Sequence, residues 1–250
     1  MITHIGAVRK SNEDNYYVNG VFKSKNSIAT EGYTDNAKRN AYLYAVCDGM
    51  GGESSGEIAS MIAVKTLAKY NATDIRQTIM EYIDSTNNLI CDEVVKSNGK
   101  RSGTTIALLY LRDNRAISYN IGDSRVYLLR KGDLYLMSED HTQAQKMVQA
   151  GVISEEEAKS HNARNKLTQY LGAFPDEMIP EPYISEEVRL KRNDIFLVCS
   201  DGLTSMVNDD EIREILSEDK DSVGLVKELA TTAQMHGGND NITATVIKLL

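Results

Sequence analysis

A-Y-L-Y-A-V-C-D-G-M-G-G, residues 41–52, and D-I-F-L-V-C-S-D-G-L, residues 194–203, share one design: an apolar run that stops at an aspartate beside a glycine. A short apolar run rich in β-branched and aromatic residues, bounded by glycine, predicts a buried strand ending in a turn. Each strand therefore delivers a carboxylate, Asp48 or Asp201, at its end.

Working outward, Ser54 with Glu57 has the capping-box spacing, and Ile58, Ile62, Ala63, Leu67 and Tyr70 follow at helical intervals. A second helix is predicted over residues 74–95, where Ile75, Ile79, Ile83, Leu89, Ile90 and Val94 make a broad apolar face. Upstream, alternation over residues 2–8 and again over 16–18 predicts two strands joined by a polar turn. Residues 20–40 suggest no element. Downstream, four apolar runs with short breaks between residues 104 and 137 predict an antiparallel meander. Residues 142–171 are polar and helix-prone, with a capped acidic start at Ser154. Pro175, Pro180 and Pro182 mark an irregular connector beyond them. Helical patterns at 209–216 and 222–235 and a last strand at 242–249 complete the chain. Strands, then helices, then strands again imply an α+β domain, and no repeat or linker divides residues 1–250.

The composition narrows the function. A chain of 250 residues, 41% hydrophobic, is long enough for one sizeable core. Its formal charge of -8 and pI near 5.1 exclude the broad electrostatic attraction that nucleic acid or an anionic membrane requires. Without a leader-like start or an apolar run of bilayer length, the expected location is the cytoplasm. Cys47, Cys91 and Cys199 are too widely spaced for a zinc knuckle and too few for a disulfide framework, so they read as reduced core thiols. His4, His141, His161 and His236 include no pair at ligand spacing, which leaves oxygen as the only donor for a metal.

Besides Asp48 and Asp201, acidic residues stand at other segment ends: Glu13 with Asp14, Asp123 in I-G-D-S-R, and Asp240 in G-G-N-D-N. Singly, each is ordinary turn chemistry. Together they suggest convergence, since half-buried carboxylates raise one another's pKa and a divalent cation resolves that conflict.

With these residues in view, the chain resembles the metal-dependent protein phosphatases of the protein phosphatase 2C family, in particular their bacterial branch. The match runs in order through R-K-S-N-E-D (9–14), V-C-D-G-M-G-G (46–52), S-G-T-T (102–105), G-D-S-R (122–125), E-D-H-T (139–142), C-S-D-G-L (199–203) and G-G-N-D-N-I-T (237–243). Each motif is weak alone, but seven in the family's order, over nearly the whole chain, make a chance match improbable. The resemblance implies a four-layer α-β-β-α sandwich of two antiparallel sheets flanked by helices. It also implies two or three divalent cations, Mn²⁺ or Mg²⁺, at one end. Asp48 would bridge two of them. Asp201 and Asp240 would complete the first site, Glu13 and the carbonyl of Gly49 the second, and Asp123 with Asp201 would hold a third cation. Asp14 would lie behind the ligands, orienting water, and Arg9 would bind the phosphate. A hydroxide held between two cations would then attack the phosphorus of phosphoserine or phosphothreonine directly. Phosphorylated proteins are the implied partners, with a cognate serine/threonine kinase acting on the same proteins.

Where many eukaryotic members have a histidine after the Asp-Gly, this chain has Met50, whose thioether cannot donate a proton to the leaving group. Residues 142–172 resemble the flap that bacterial members place beside the metal site, and are expected to help select peptides. His141 and His161 read as structural. Cys47 and Cys199, next to proposed ligands, read as inert core thiols rather than a redox switch. Two competing functions are a catalytically silent family member acting as a signalling module and a phosphatase for small phosphate esters.

Overall fold

The computed structural model describes residues 1–24, 30–36, 38–51 and 55–249. Ser54, the expected cap of the first helix, and Gly52 fall outside the described residues. The chain opens with β1 (Ile2–His4), β2 (Asn15–Val18), β3 (Val21–Phe22), β4 (Thr30–Gly32), β5 (Ala41–Cys47) and β6 (Gly49–Met50). Helices α1 (Ser55–Leu67) and α2 (Ile75–Lys96) follow, then β7 (Gly103–Thr104), β8 (Ile106–Arg112), β9 (Arg115–Ile121), β10 (Arg125–Arg130) and β11 (Asp133–Leu136). Short helices α3 (Gln143–Gln149) and α4 (Glu155–Ser160) lead to β12 (Tyr183–Ile184), β13 (Val188–Arg189) and β14 (Ile195–Cys199). The chain closes with α5 (Asp201–Thr204), α6 (Asp209–Leu216), α7 (Ser222–Met235) and β15 (Ile242–Lys248).

Two antiparallel sheets result. One runs in the order β11, β10, β14, β15, β1, β4, the other β12, β9, β8, β5, β2, β3, with β13 also paired to β9. Strand β5 shows why the apolar run lacks alternation. Leu43, Ala45 and Cys47 pack under α1 and α2 with Leu67, Ile83 and Ile90, while Tyr44 and Val46 point between the sheets to Leu109, Leu128 and Phe196. Strand β14 is the counterpart, with Leu197 and Cys199 covered by Ile212, Leu225 and Leu229 of α6 and α7 and Val198 facing the inter-sheet core. Three apolar interfaces stack four layers, the predicted α-β-β-α sandwich. Among the described residues no helix is long and apolar enough to cross a membrane.

The topology gathers the chemistry. Pairing of Asn15 with Cys47, Ile106 with Ile121 and Cys199 with Ala244 and Arg125 brings the start of β2, the ends of β5, β9 and β14, and the start of β15 to one end of the sandwich. Those are the positions that carry Glu13, Asp48, Asp123, Asp201 and Asp240.

Some local expectations change. β1 stops at His4 instead of continuing to residue 8, because Gly6 takes a positive φ of 82° and the backbone turns toward Gly238. In the stretch 142–171 only α3 and α4 are helical, since polar helix propensity without an apolar face to bury does not hold a long helix. Asp201 begins a short helix rather than a glycine turn.

Phe196 is fully buried where the two sheets face each other. Phe196→Ala is expected to cost about 3–5 kcal/mol of stability, seen as a lower urea midpoint with an unchanged slope.

Candidate active site

At the carboxylate end lies a cleft of about 770 Å³, lined on one side by Arg9, Glu13, Asp48, Gly49, Asp123, Asp201 and Asp240. Every predicted cleft residue except Asp14 thus borders one space. Asp14 lies fully buried behind it, where one carboxylate oxygen accepts hydrogen bonds from Ser200 Oγ (2.8 Å) and Thr243 Oγ1 (2.6 Å). Its other oxygen, Oδ1, is buried with no hydrogen-bond partner among the described residues.

Asp48 and Glu13 are held through their backbones. The Asp48 amide donates to Thr105 Oγ1 (3.0 Å), while its carbonyl accepts from Thr105 N and Thr104 Oγ1, both at 2.9 Å. Thr105 Oγ1 in turn shares a 2.7 Å bond with Ser124 Oγ, beside Asp123. Asn241 clamps the N-terminal loop: its Oδ1 accepts from the Glu13 amide (2.8 Å), and its Nδ2 donates to the carbonyls of Ile5 (2.8 Å) and Ser11 (2.9 Å). That loop carries Arg9, whose Nη2 lies 2.5 Å from Asp240 Oδ2. Thr104, Thr105, Ser200, Asn241 and Thr243 all sit inside the quoted motifs, but sequence reasoning gave them no role because their partners are remote in the chain.

The glycines beside the aspartates do not serve as left-handed turn residues. A Cβ on Gly202 would lie 1.9 Å from the Asn241 carbonyl oxygen, and one on Gly49 would lie 2.2 Å from the Gly56 oxygen and 2.5 Å from that of Glu13. They are glycine because separate backbone segments touch there.

Burial dominates the electrostatics. It raises the pKa of Asp48 well above the carboxylate range, helped by the charges of Asp14, Asp201 and Asp123. Asp123 rises for the same reason, with Asp201 as its main repelling neighbour. Asp201 also rises through burial, although its hydrogen bond with Asp48 pulls the other way. Asp14 is pushed up to about 7, burial outweighing the two hydroxyl donors. Such a cluster holds protons or cations in place of its full negative charge. Among the described residues no three acidic, imidazole or thiol side chains stand ready to hold one ion by themselves, with Asp240 turned to Arg9. The donors are all oxygens, which suits hard cations completed by carbonyl and water.

The neighbouring histidines have structural partners. His141 donates its backbone amide to the Gly122 carbonyl (2.9 Å) and accepts from the Gly122 amide at Nδ1 (3.3 Å), supporting the turn before Asp123. His161 Nδ1 accepts from the Ala163 amide (3.1 Å). Arg125 of G-D-S-R grips Asp140 of E-D-H-T through Nη2 (2.7 Å) and Nε (2.9 Å), tying two motifs into the scaffold.

An acidic, oxygen-lined cleft with an arginine at its rim is equipped for cations and a phosphate-like anion. Comparison with known proteins agrees. The sequence profile described as Protein phosphatase 2C matches residues 30–244, and the chain belongs to that family. Protein phosphatase PhpP of Streptococcus pneumoniae is 32% identical over 256 residues, covering 100% of this chain and 96% of that protein. The structure of the S. agalactiae serine/threonine phosphatase superposes with a TM-score of 0.84 at 29% identity, covering 100% of this chain and 99% of that one. The catalytic domain of the serine/threonine protein phosphatase PstP, in complex with two manganese ions, gives 0.78 at 28% identity, covering 100% and 97%.

Cys47 and Cys199, one residue and two residues from proposed ligands, are fully buried. Burial pushes the Cys47 thiol up, and Cys199 up to about 12 even though Arg125 favours its thiolate. Iodoacetamide at pH 8 is therefore expected to leave both unlabelled in the native protein while the denatured chain is alkylated at all three cysteines, as peptide mapping would show.

Proposed function

We infer that this chain is a metal-dependent protein serine/threonine phosphatase working from the acidic cleft. The observation that carries the reading is the convergence of Glu13, Asp48, Asp123, Asp201 and Asp240, from five separate segments, on one space beside Arg9. Nothing favours a silent family member, since the acidic set has no neutral substitution.

Two cations, manganese or magnesium, fit an all-oxygen set of this charge. Asp48 would contact both, with Asp201 and Asp240 on one and Glu13 and the Gly49 carbonyl on the other; a third would lie between Asp123 and Asp201. When bound, the cations make water a nucleophile near neutral pH and offset phosphate charge. The protein's own part is positional. Arg9, 52% exposed and held at its tip by Asp240, can present its planar fork of donors to a phosphate. Asp14 Oδ1, buried and unpartnered, is an acceptor for a water proton. Met50 lines the same cleft and offers no acid to the leaving oxygen.

The substrates in this reading are phosphoserine and phosphothreonine proteins, with a kinase of opposite action as partner. Residues 142–172 serve as the flap: Asn165, Leu167, Tyr170 and Gly172 border the cleft. The cytoplasm is the matching compartment for three unpaired cysteines.

Phosphate release from a phosphothreonine peptide should require Mn²⁺ or Mg²⁺ and stop with EDTA. Asp201→Asn should lower turnover about 100-fold or more, since even groups behind metal ligands are worth 10–100-fold. Absence of release from folded, metal-supplied protein would refute the reading.

Stability offers a second test. A carboxyl whose folded pKa is raised destabilises the fold above that pKa, and the cost vanishes as pH falls to the unfolded value near 4. In EDTA, Asp48→Asn should therefore stabilise the protein at pH 8 by at least ~1 kcal/mol, the worth of one pKa unit. The gain should fade toward pH 4. Mn²⁺ should raise the melting temperature of the parent more than that of the variant.

A further inference from the structure

The cleft does not end at the carboxylates. Beyond them it is walled by Met50, Val94, Leu167, Tyr170 and Phe174, all apolar or aromatic, and all but buried Val94 half-buried. The wall is built rather than incidental. Pairing of β6 with β7 sets Met50 opposite Gly103, and a Cβ on Gly103 would lie 2.8 Å from the Tyr170 ring and 3.0 Å from the Met50 methyl. Thr104 and Leu171 exchange two backbone hydrogen bonds of 2.9 Å, fixing the segment that bears Tyr170 to β7. Asn87 of α2 fixes its far side: Oδ1 accepts from the amides of Gly172 (2.7 Å) and Ala173 (3.1 Å), and Nδ2 donates to the Ala173 carbonyl (3.0 Å).

The charge on this side is already committed. Arg101 at the rim is held by both carboxylate oxygens of Glu177. A volume of about 770 Å³ falls within the roughly 300–1,000 Å³ that takes a whole drug-sized ligand, far more than a phosphate group fills. The wall holds no cationic side chain to pair with a carboxylate beside the phosphate. An apolar side chain gains by leaving water against the wall.

Resting on the phosphatase reading, we propose that this apolar half is a substrate subsite for an uncharged, apolar residue flanking the phosphorylated one. The occupant is a segment of phosphoprotein, because the wall is continuous with the space that receives the phosphate. Met50 and Tyr170, both packed over Gly103, form the floor, and Leu167 and Phe174 flank it.

The test uses capped phosphothreonine peptides whose other residues are glycine, with one leucine placed in turn at each position from two before to two after the phosphothreonine. An aspartate series runs in parallel. One leucine placement is expected to raise kcat/KM roughly tenfold over the all-glycine peptide, the scale of discrimination a hydrophobic pocket supplies, while aspartate there does not. In Tyr170→Ala and in Leu167→Asn the leucine-to-glycine ratio, taken within each variant so that any general loss cancels, should fall toward one. Equal cleavage of every peptide by the parent, or a ratio that survives both substitutions, would overturn the subsite and leave the phosphatase reading intact. Failure to cleave any of the peptides would overturn the phosphatase reading, and the subsite with it.

Discussion

Burying several carboxylates together is the constraint around which this end of the molecule is organised. Asp14 and Asp123 are buried and Asp48 and Asp201 half-buried within one small region, and neighbouring charges raise the cost of ionising them. The protein offsets part of that cost locally. Asp48 and Asp201 share a hydrogen bond, Asp240 leans on Arg9, and Asp14 takes two hydroxyl donors. None of these arrangements satisfies the whole set: Asp14 Oδ1 remains an orphan. An unsatisfied buried acceptor costs about 1–3 kcal/mol, a cost the rest of the fold has to offset.

Holding like charges close requires a rigid frame, and the four-layer sandwich supplies it. Strands β5 and β14 are buried on both faces, so their ends cannot relax away from one another without opening two apolar interfaces at once. Backbone contacts then replace side chains. Gly49 against Gly56, Gly202 against Asn241 and Gly6 against Asp240 leave no room for a Cβ. Arg9 and Glu13 ride on a loop without regular structure, and there the side chain of Asn241 does what a strand pairing does elsewhere.

Much of this was legible in the sequence because it is local. The apolar runs of β5 and β14 and the helical periods of α6 and α7 need no knowledge of what packs on them. Asp48 and Asp201 announce themselves by ending such runs. The motif match placed Arg9, Glu13, Asp123 and Asp240 in the same space, which spacing alone did not show. What escaped is non-local. Thr243 reaches Asp14 across 229 positions and Asn241 reaches Glu13 across 228, so no pattern within a window reveals either. The glycines were misread for a related reason: Asp-Gly looks like a turn, whereas the approach of a distant backbone decides these positions. Residues 142–171 carry helix-favouring side chains, yet helix formation there lacks an apolar face to dock and stops after α3 and α4.

The two halves of the cleft also divide the work of recognition. Charge on one side reads a phosphate group, and every phosphoserine or phosphothreonine offers the same one, so that half cannot tell proteins apart. Discrimination must come from surface that meets the flanking residues. Arg9 illustrates the limit. Arg9 Nη2 lies 2.5 Å from Asp240 Oδ2, so in the proposed reading capturing a phosphate draws on a guanidinium that already makes a charge-assisted hydrogen bond. Apolar contact has no such competitor beyond water. The wall fixed by Asn87 and Thr104 is already ordered, so a peptide side chain settling on it loses only its own freedom. In a chain of net charge -8, long-range repulsion selects against acidic partners before contact, and in the proposed reading the apolar wall selects among those that remain.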